Sequence, residues 1–238
     1  MNLWGITDIG AVRNDNQDSY RIEGLDEHTA LAVVCDGMGG ARAGNVASST
    51  AVEEFTQSLL AQGQQPDGWA GALRKAVAQA NEKVYSISLD RPECRGMGTT
   101  LVAALVTEDT LWVVNIGDSR CYQVLDGEIR RVTRDHSLVE DLVEQGEITR
   151  EEARVHPQKN LITRALGVDR TVQEDLFELD NTGGYLLLCS DGLSNTVTDE
   201  ELRREVVAED KAGCCQRLLR LALERGAPDN VTAVLVQL

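Results

Sequence analysis

Short apolar runs separated by polar, glycine-containing turns recur along the chain. They are Trp4 to Ile9, Leu31 to Cys35, Thr99 to Val106, Leu111 to Ile116, Arg120 to Leu125, Ile129 to Val132, Tyr185 to Cys189 and Val231 to Val236. Runs of this length, bounded by turn residues, predict strands. The runs from Thr99 to Val132 follow one another through connections too short for a helix, one of them the hairpin signal Asp126-Gly127. That spacing predicts an antiparallel meander and excludes a purely parallel sheet.

Helical stretches lie between the strands: Gly44 to Gln62 and Trp69 to Ser88 early, Thr198 to Val207 and Lys211 to Arg225 late. Thr198-Asp-Glu-Glu201 has the form of a capping box, and Leu218, Leu219, Leu221, Ala222 and Leu223 give the last helix an apolar face wide enough to cover a sheet. Helix pairs at both ends of a β-rich middle predict an α+β fold, a four-layer α-β-β-α sandwich of two mainly antiparallel sheets flanked by helix pairs. Ser137-x-x-Glu140 and Thr149-x-x-Glu152 each open a short helix, and Pro157 stops the second. Residues 133–167 therefore read as a small helical flap inserted between strands. With no linker-like tract in its 238 residues, the chain is expected to be one domain.

Charge narrows the function. With 23 basic and 39 acidic side chains, the net charge of −16 argues against nucleic acid or an anionic membrane as partner. None of the six cysteines forms a C-x-x-C pair, and Cys35, Cys121 and Cys189 lie in strand-like runs where Cys acts as a small hydrophobe. A reduced cytoplasmic setting is expected, because the N-terminal residues lack a basic head followed by an apolar stretch and no apolar run is long enough to span a bilayer.

Five aspartates escape the reading of surface acid: Asp18 in NQD, Asp36 in VVCDGMGG, Asp118 in NIGDSR, Asp191 in LLLCSDGL and Asp229 in APDNVT. Each sits where an apolar run breaks into a turn, so a rigid sheet can hold a carboxylate within reach of solvent. Gathered carboxylates raise one another's pKa, and hard divalent cations are the usual way to keep several ionised together. All-oxygen ligation favours manganese or magnesium over zinc.

GAVRNDNQD, VVCDGMGG, Gly98-Thr99-Thr100, NIGDSR, ITRALG, LLLCSDGL and APDNVT occur in that order along essentially the whole chain. In this the protein resembles the bacterial metal-dependent protein phosphatases of type 2C. The resemblance implies that Asp36 bridges two divalent cations and that the Gly37 carbonyl ligates one of them. It implies that Asp191 and Asp229 hold the other, that Asp18 supports it directly or through water, and that Asp118 goes with a third, weaker ion. Arg13 matches the phosphate-binding arginine. Asp36, Asp191 and Arg13 are thus the expected catalytic residues, and Arg42 and Arg164 are further candidates for substrate contact. The implied reaction is hydrolysis of phosphoserine and phosphothreonine on proteins by a cation-activated water, opposing a Ser/Thr kinase. The substrates are phosphorylated proteins, and a monomer is expected.

One departure stands out. Relatives commonly carry His directly after DGMGG, a candidate acid for the leaving alkoxide, and here that place is Ala41. Loss of a general acid costs about two to four orders of magnitude where proton transfer limits the rate. Arg42 and cation-held water are expected to cover part of the gap, while His136 and His156 flank the flap in local structural roles. Ala41 also motivates a second reading, a catalytically weak metal-binding regulatory or scaffold module of the same fold. A third is a hydrolase of small phosphate esters.

Overall fold

A computed structural model of the chain describes residues 1–39, 43–62 and 68–238. The first half contains β1 (Leu3–Asp8), β2 (Asp18–Gly24), β3 (Ala30–Met38), α1 (Ala43–Gln62), α2 (Gly68–Asp90), β4 (Gly98–Thr99), β5 (Leu101–Val106) and β6 (Thr110–Ile116). There follow β7 (Arg120–Leu125), β8 (Glu128–Arg131), α3 (Leu138–Glu144), α4 (Arg150–Val155), β9 (Asp175–Asp180) and β10 (Tyr185–Cys189). The chain ends with α5 (Asp191–Ser194), α6 (Asp199–Val207), α7 (Cys214–Glu224) and β11 (Val231–Gln237).

One sheet runs β1-β11-β10-β7-β8 and the other β2-β3-β5-β6-β9, with β4 paired to β3. All their pairings are antiparallel. Successive side chains on a strand face opposite ways, and three apolar layers follow from that alternation. Leu31, Val33 and Cys35 of β3, with Leu101, Ala103 and Leu105 of β5, pack under α1 and α2. Ala233 and Leu235 of β11 pack under α7, with Leu202 and Val206 of α6 in the same layer. Between the sheets lie the alternate residues Ala32, Val34, Val102, Ala104, Leu186, Leu188, Val234 and Val236. The four-layer α-β-β-α sandwich is the observed fold.

The expected meander is not formed. β5 pairs with β6 and β7 with β8, but β6 turns to β9 and β7 to β10, so the chain crosses from one sheet to the other between Ile116 and Arg120. Gly117 makes this possible with a φ of 96°. A Cβ there would sit 2.6 Å from the Thr100 side chain, so the crossover passes tightly over the β4–β5 junction. The Asp126-Gly127 hairpin is as expected, with φ of 52° and 79° matching a type I′ turn.

β2 and β9, which apolar runs do not reveal, are the two edge strands of their sheet. Their sequences DSYRIEG and DLFELD alternate apolar with charged residues, as a strand with one wet face does. The capping boxes at Thr198 and Thr149 are complete. At Ser137 only half forms, because the Glu140 carboxylate is drawn into ion pairs with Arg131 and Arg150. The helical excursion is tied to the body at its base by bridges Thr99↔Leu166 and Ser137↔Ile162.

Candidate metal centre

Strand parity brings the site together. Asp36 lies in phase with Ala32 and Val34, and Asp18, paired with Asp36 across β2 and β3, lies in phase with Tyr20 and Ile22. Both carboxylates therefore emerge at one end of the layer between the sheets. Ser190 follows Leu186 and Leu188 in the same phase, and Thr232 precedes Val234 and Val236, so their hydroxyls arrive at that end from the other sheet. Each donates to Oδ2 of Asp18 at 2.7 Å. Asp18 is buried, and its Oδ1 has no partner among the described residues.

The remaining acids come from three breaks in regular structure. Asp118 sits in the crossover between the sheets, Asp191 opens α5, and Asp229 lies just before β11. Asp36, Asp118, Asp191 and Asp229 line one cleft of about 220 Å³ with Arg13, the backbone of Gly37 and Asn160. Asp18 stands behind it. A Cβ on Gly37 would lie 2.0 Å from the Gly44 carbonyl oxygen and 2.7 Å from that of Gln17, so only glycine lets β3 pass between them. Asp36 itself is fixed by its backbone, which donates to Thr100 Oγ1 at 2.9 Å and accepts from Thr99 Oγ1 at 2.9 Å.

Arg13 is held by an ion pair from Nη2 to Asp229 Oδ2 at 2.6 Å. The loop that carries it is stapled to β11 by Asn230, which donates to the carbonyls of Ile9 and Asp15 and accepts from the Gln17 amide. Asn230, Thr100, Ser190 and Thr232 hold the site in shape. Only their place inside the APDNVT, GTT and CSDG strings signals them in the sequence.

Electrostatics show what the site lacks. Burial, reinforced by Asp18 and Asp191, holds the Asp36 carboxyl well above the usual carboxylate range. Burial and Asp191 do the same to Asp118. Burial raises Asp18 to about 7 against its two hydroxyl donors, and burial with Asp229 raises Asp191 to about 6. Among the described residues, no three His, Cys, Asp or Glu side chains already converge as a closed cage. The carboxylates instead ring a cleft whose uncompensated charge is what hard cations neutralise. Oδ1 of Asp18 and Oδ1 of Asp191 are both buried without partners among the described residues. An all-oxygen set with orphaned carboxylate oxygens fits manganese or magnesium and does not suit zinc.

One expected substrate contact falls elsewhere. Arg164 is not with the carboxylates: its Nη1 donates to Asp175 Oδ1 at 2.8 Å and to the Gln173 carbonyl at 3.0 Å, and it lines a neighbouring recess. The carboxylate of β9 outcompetes the cleft for it. Ala41 and Arg42 lie outside the described residues. His136 is buried away from the cleft, its Nδ1 accepting from the Gly117 amide at 3.1 Å and its Nε2 facing Asp175. Nδ1 of His156 accepts from the Gln158 amide. Both histidines serve local structure.

A family model described as protein phosphatase 2C matches residues 12–232. The serine/threonine phosphatase stp of Listeria monocytogenes is 37% identical over 242 residues, covering 97% of this chain and 93% of that one. The crystal structure of the serine/threonine phosphatase Stp1 from Staphylococcus aureus superposes with a TM-score of 0.93 at 38% identity, over 99% of this chain and 94% of that one. The catalytic domain of the phosphatase PstP, in complex with two manganese ions, superposes with a TM-score of 0.86 at 36% identity, covering 98% and 96% of the two chains.

Proposed function

This chain belongs to the protein phosphatase 2C family and is a metal-dependent serine/threonine protein phosphatase; from that premise we propose that Asp36, Asp191 and Asp229 hold its cations and Arg13 its substrate phosphate. The observation that carries the assignment is the single cleft lined by these residues with Asp118. When bound, a pair of divalent cations supplies an ionised water nucleophile at neutral pH and offsets charge on the transferring phosphoryl group. Asp36, central among the acids, would be shared by the cations, with the Gly37 carbonyl as a further oxygen donor. Asp18, fixed from behind by Ser190 and Thr232, orients the cluster rather than meeting substrate. Asp118, which lines the same cleft, would hold a third, weaker ion.

Arg13 presents a planar fork of donors to phosphate oxygens. It spends one of them on Asp229. With a cation held at Asp229, the Arg13 guanidinium would be available to substrate phosphate, which would couple phosphate binding to cation binding. The complete carboxylate set favours catalysis over the weakly catalytic scaffold, which has no chemical need of it.

We extend the proposal to one domain over residues 1–238, acting as a monomer in the cytoplasm and opposing a Ser/Thr kinase. The apolar layer shared by both sheets supports one domain, and six free, buried cysteines support a reducing compartment. Among the described residues no helix is long and apolar enough to cross a membrane. The residue roles are tested by titrating manganese calorimetrically into the metal-free chain. Asp36→Asn and Asp229→Asn are expected to abolish or reduce the stoichiometry, and unchanged binding by both would remove them as ligands.

A further inference from the structure

A larger cleft of about 510 Å³ opens between the flap and the body and shares Asp118 and Asp191 with the metal cleft. Its inner guanidinium groups are engaged: Arg120 by Asp135, Arg131 by Asp135 and Glu140, Arg134 by Asp141 and Glu144, and Arg150 by Glu140. Arg154, in the last turn of α4, and Lys159, beyond Pro157, differ. Both line this cleft, and among the described residues neither has an ion-pair or side-chain hydrogen-bond partner. They also line an adjoining recess against the segment from Ser194 to Asp199.

Position gives these two cations their meaning. Lys159 lines the larger cleft while the next residue, Asn160, lines the metal cleft, so the flap segment that carries the cations also borders the metal cleft. A peptide delivering a phosphorylated side chain to Asp36 has its flanking residues within this continuous space. In a chain of net charge −16, an acidic peptide meets general repulsion, and uncommitted cations beside the site supply local attraction. Among the described residues, Asp199, which shares the recess without an ion pair, is the only acid facing them there.

We propose that the cleft beneath the flap seats the peptide flanking the phosphoresidue, and that Arg154 and Lys159 select acidic side chains there. This rests on the phosphatase reading and adds the substrate class. An exposed charge contact changes preference by a few-fold, so two give about ten-fold between acidic and basic peptides.

The test measures kcat/KM for phosphothreonine peptides bearing Glu, Gln or Lys at the positions before or after the phosphoresidue, with p-nitrophenyl phosphate alongside. The manganese-loaded chain is expected to favour Glu over Lys by about ten-fold on at least one side. The Arg154→Glu/Lys159→Glu double variant should abolish or invert that ratio, and Asp199→Asn should increase it. Because the readout is a ratio, a general loss of activity in a variant cancels. A wild-type ratio near one on both sides, or a ratio unchanged in the double variant, overturns the inference while leaving the phosphatase reading standing. Failure of the unaltered chain on every peptide and on p-nitrophenyl phosphate would overturn both.

Discussion

Replacing Asp18 by Asn is predicted to stabilise the chain when no cation is bound, and to do so more at high pH. Asp18 is buried, its Oδ2 accepts from Ser190 and Thr232, and its Oδ1 is unpartnered among the described residues. Its carboxyl is pushed up to about 7 from an ordinary 3.8, chiefly by burial. A raised carboxyl destabilises only where it would be ionised in the unfolded chain. The penalty is therefore absent below about pH 4, grows as pH rises, and is complete above about pH 7. Each tenfold change in proton affinity is worth about 1.4 kcal/mol, which makes the penalty about 4 kcal/mol at pH 8 and under about 2 kcal/mol at pH 5. The carboxylates titrate as a group, so the single substitution recovers about 2–4 kcal/mol at pH 8. An Asn oxygen still accepts from the two hydroxyls. Urea denaturation of chelator-treated protein, followed by circular dichroism at both pH values, reads the difference. An Asp18→Asn chain less stable than the parent at pH 8, or a gap that does not narrow at pH 5, would refute the electrostatic account.

Three other outcomes follow from the packing and the site. Gly37→Ala places a Cβ against two backbone carbonyls and is expected to cost about 3 kcal/mol or more, visible as a lowered denaturation midpoint. Arg13→Ala should reduce kcat/KM on a phosphopeptide by about 10- to 100-fold, mainly through KM, while leaving a folded chain that binds manganese. Thr198→Ala removes the cap of α6 outside the metal cleft, and should cost about 1 kcal/mol with turnover of p-nitrophenyl phosphate preserved.

The sequence was most informative where one rule decides the outcome. Buried strands such as β3, β5 and β10 are continuous apolar runs, and Asp126-Gly127 and the Thr198 box are local chemistry that tertiary contacts do not override. It was least informative where a neighbour decides. β2 and β9 are edge strands with one wet face, and the crossover at Gly117 looks like any short turn until Thr100 and the second sheet are in place. The aspartates were legible from their turns. Their convergence depends on strand phase across two sheets, so Ser190 and Thr232 could not be assigned to Asp18 beforehand. Arg164 shows the reverse case, a residue in a telling string that a nearby carboxylate, Asp175, draws away.

The central claim is that the carboxylates around Asp36 hold the cations that make the chain a phosphatase. It is tested most directly by phosphate release from a phosphothreonine peptide, using metal-stripped protein with manganese, magnesium or no addition, beside Asp36→Asn. The account predicts release only with added cation and its loss in Asp36→Asn, with Ala41 directly after DGMGG. Release without metal, or release undiminished in Asp36→Asn, would contradict it.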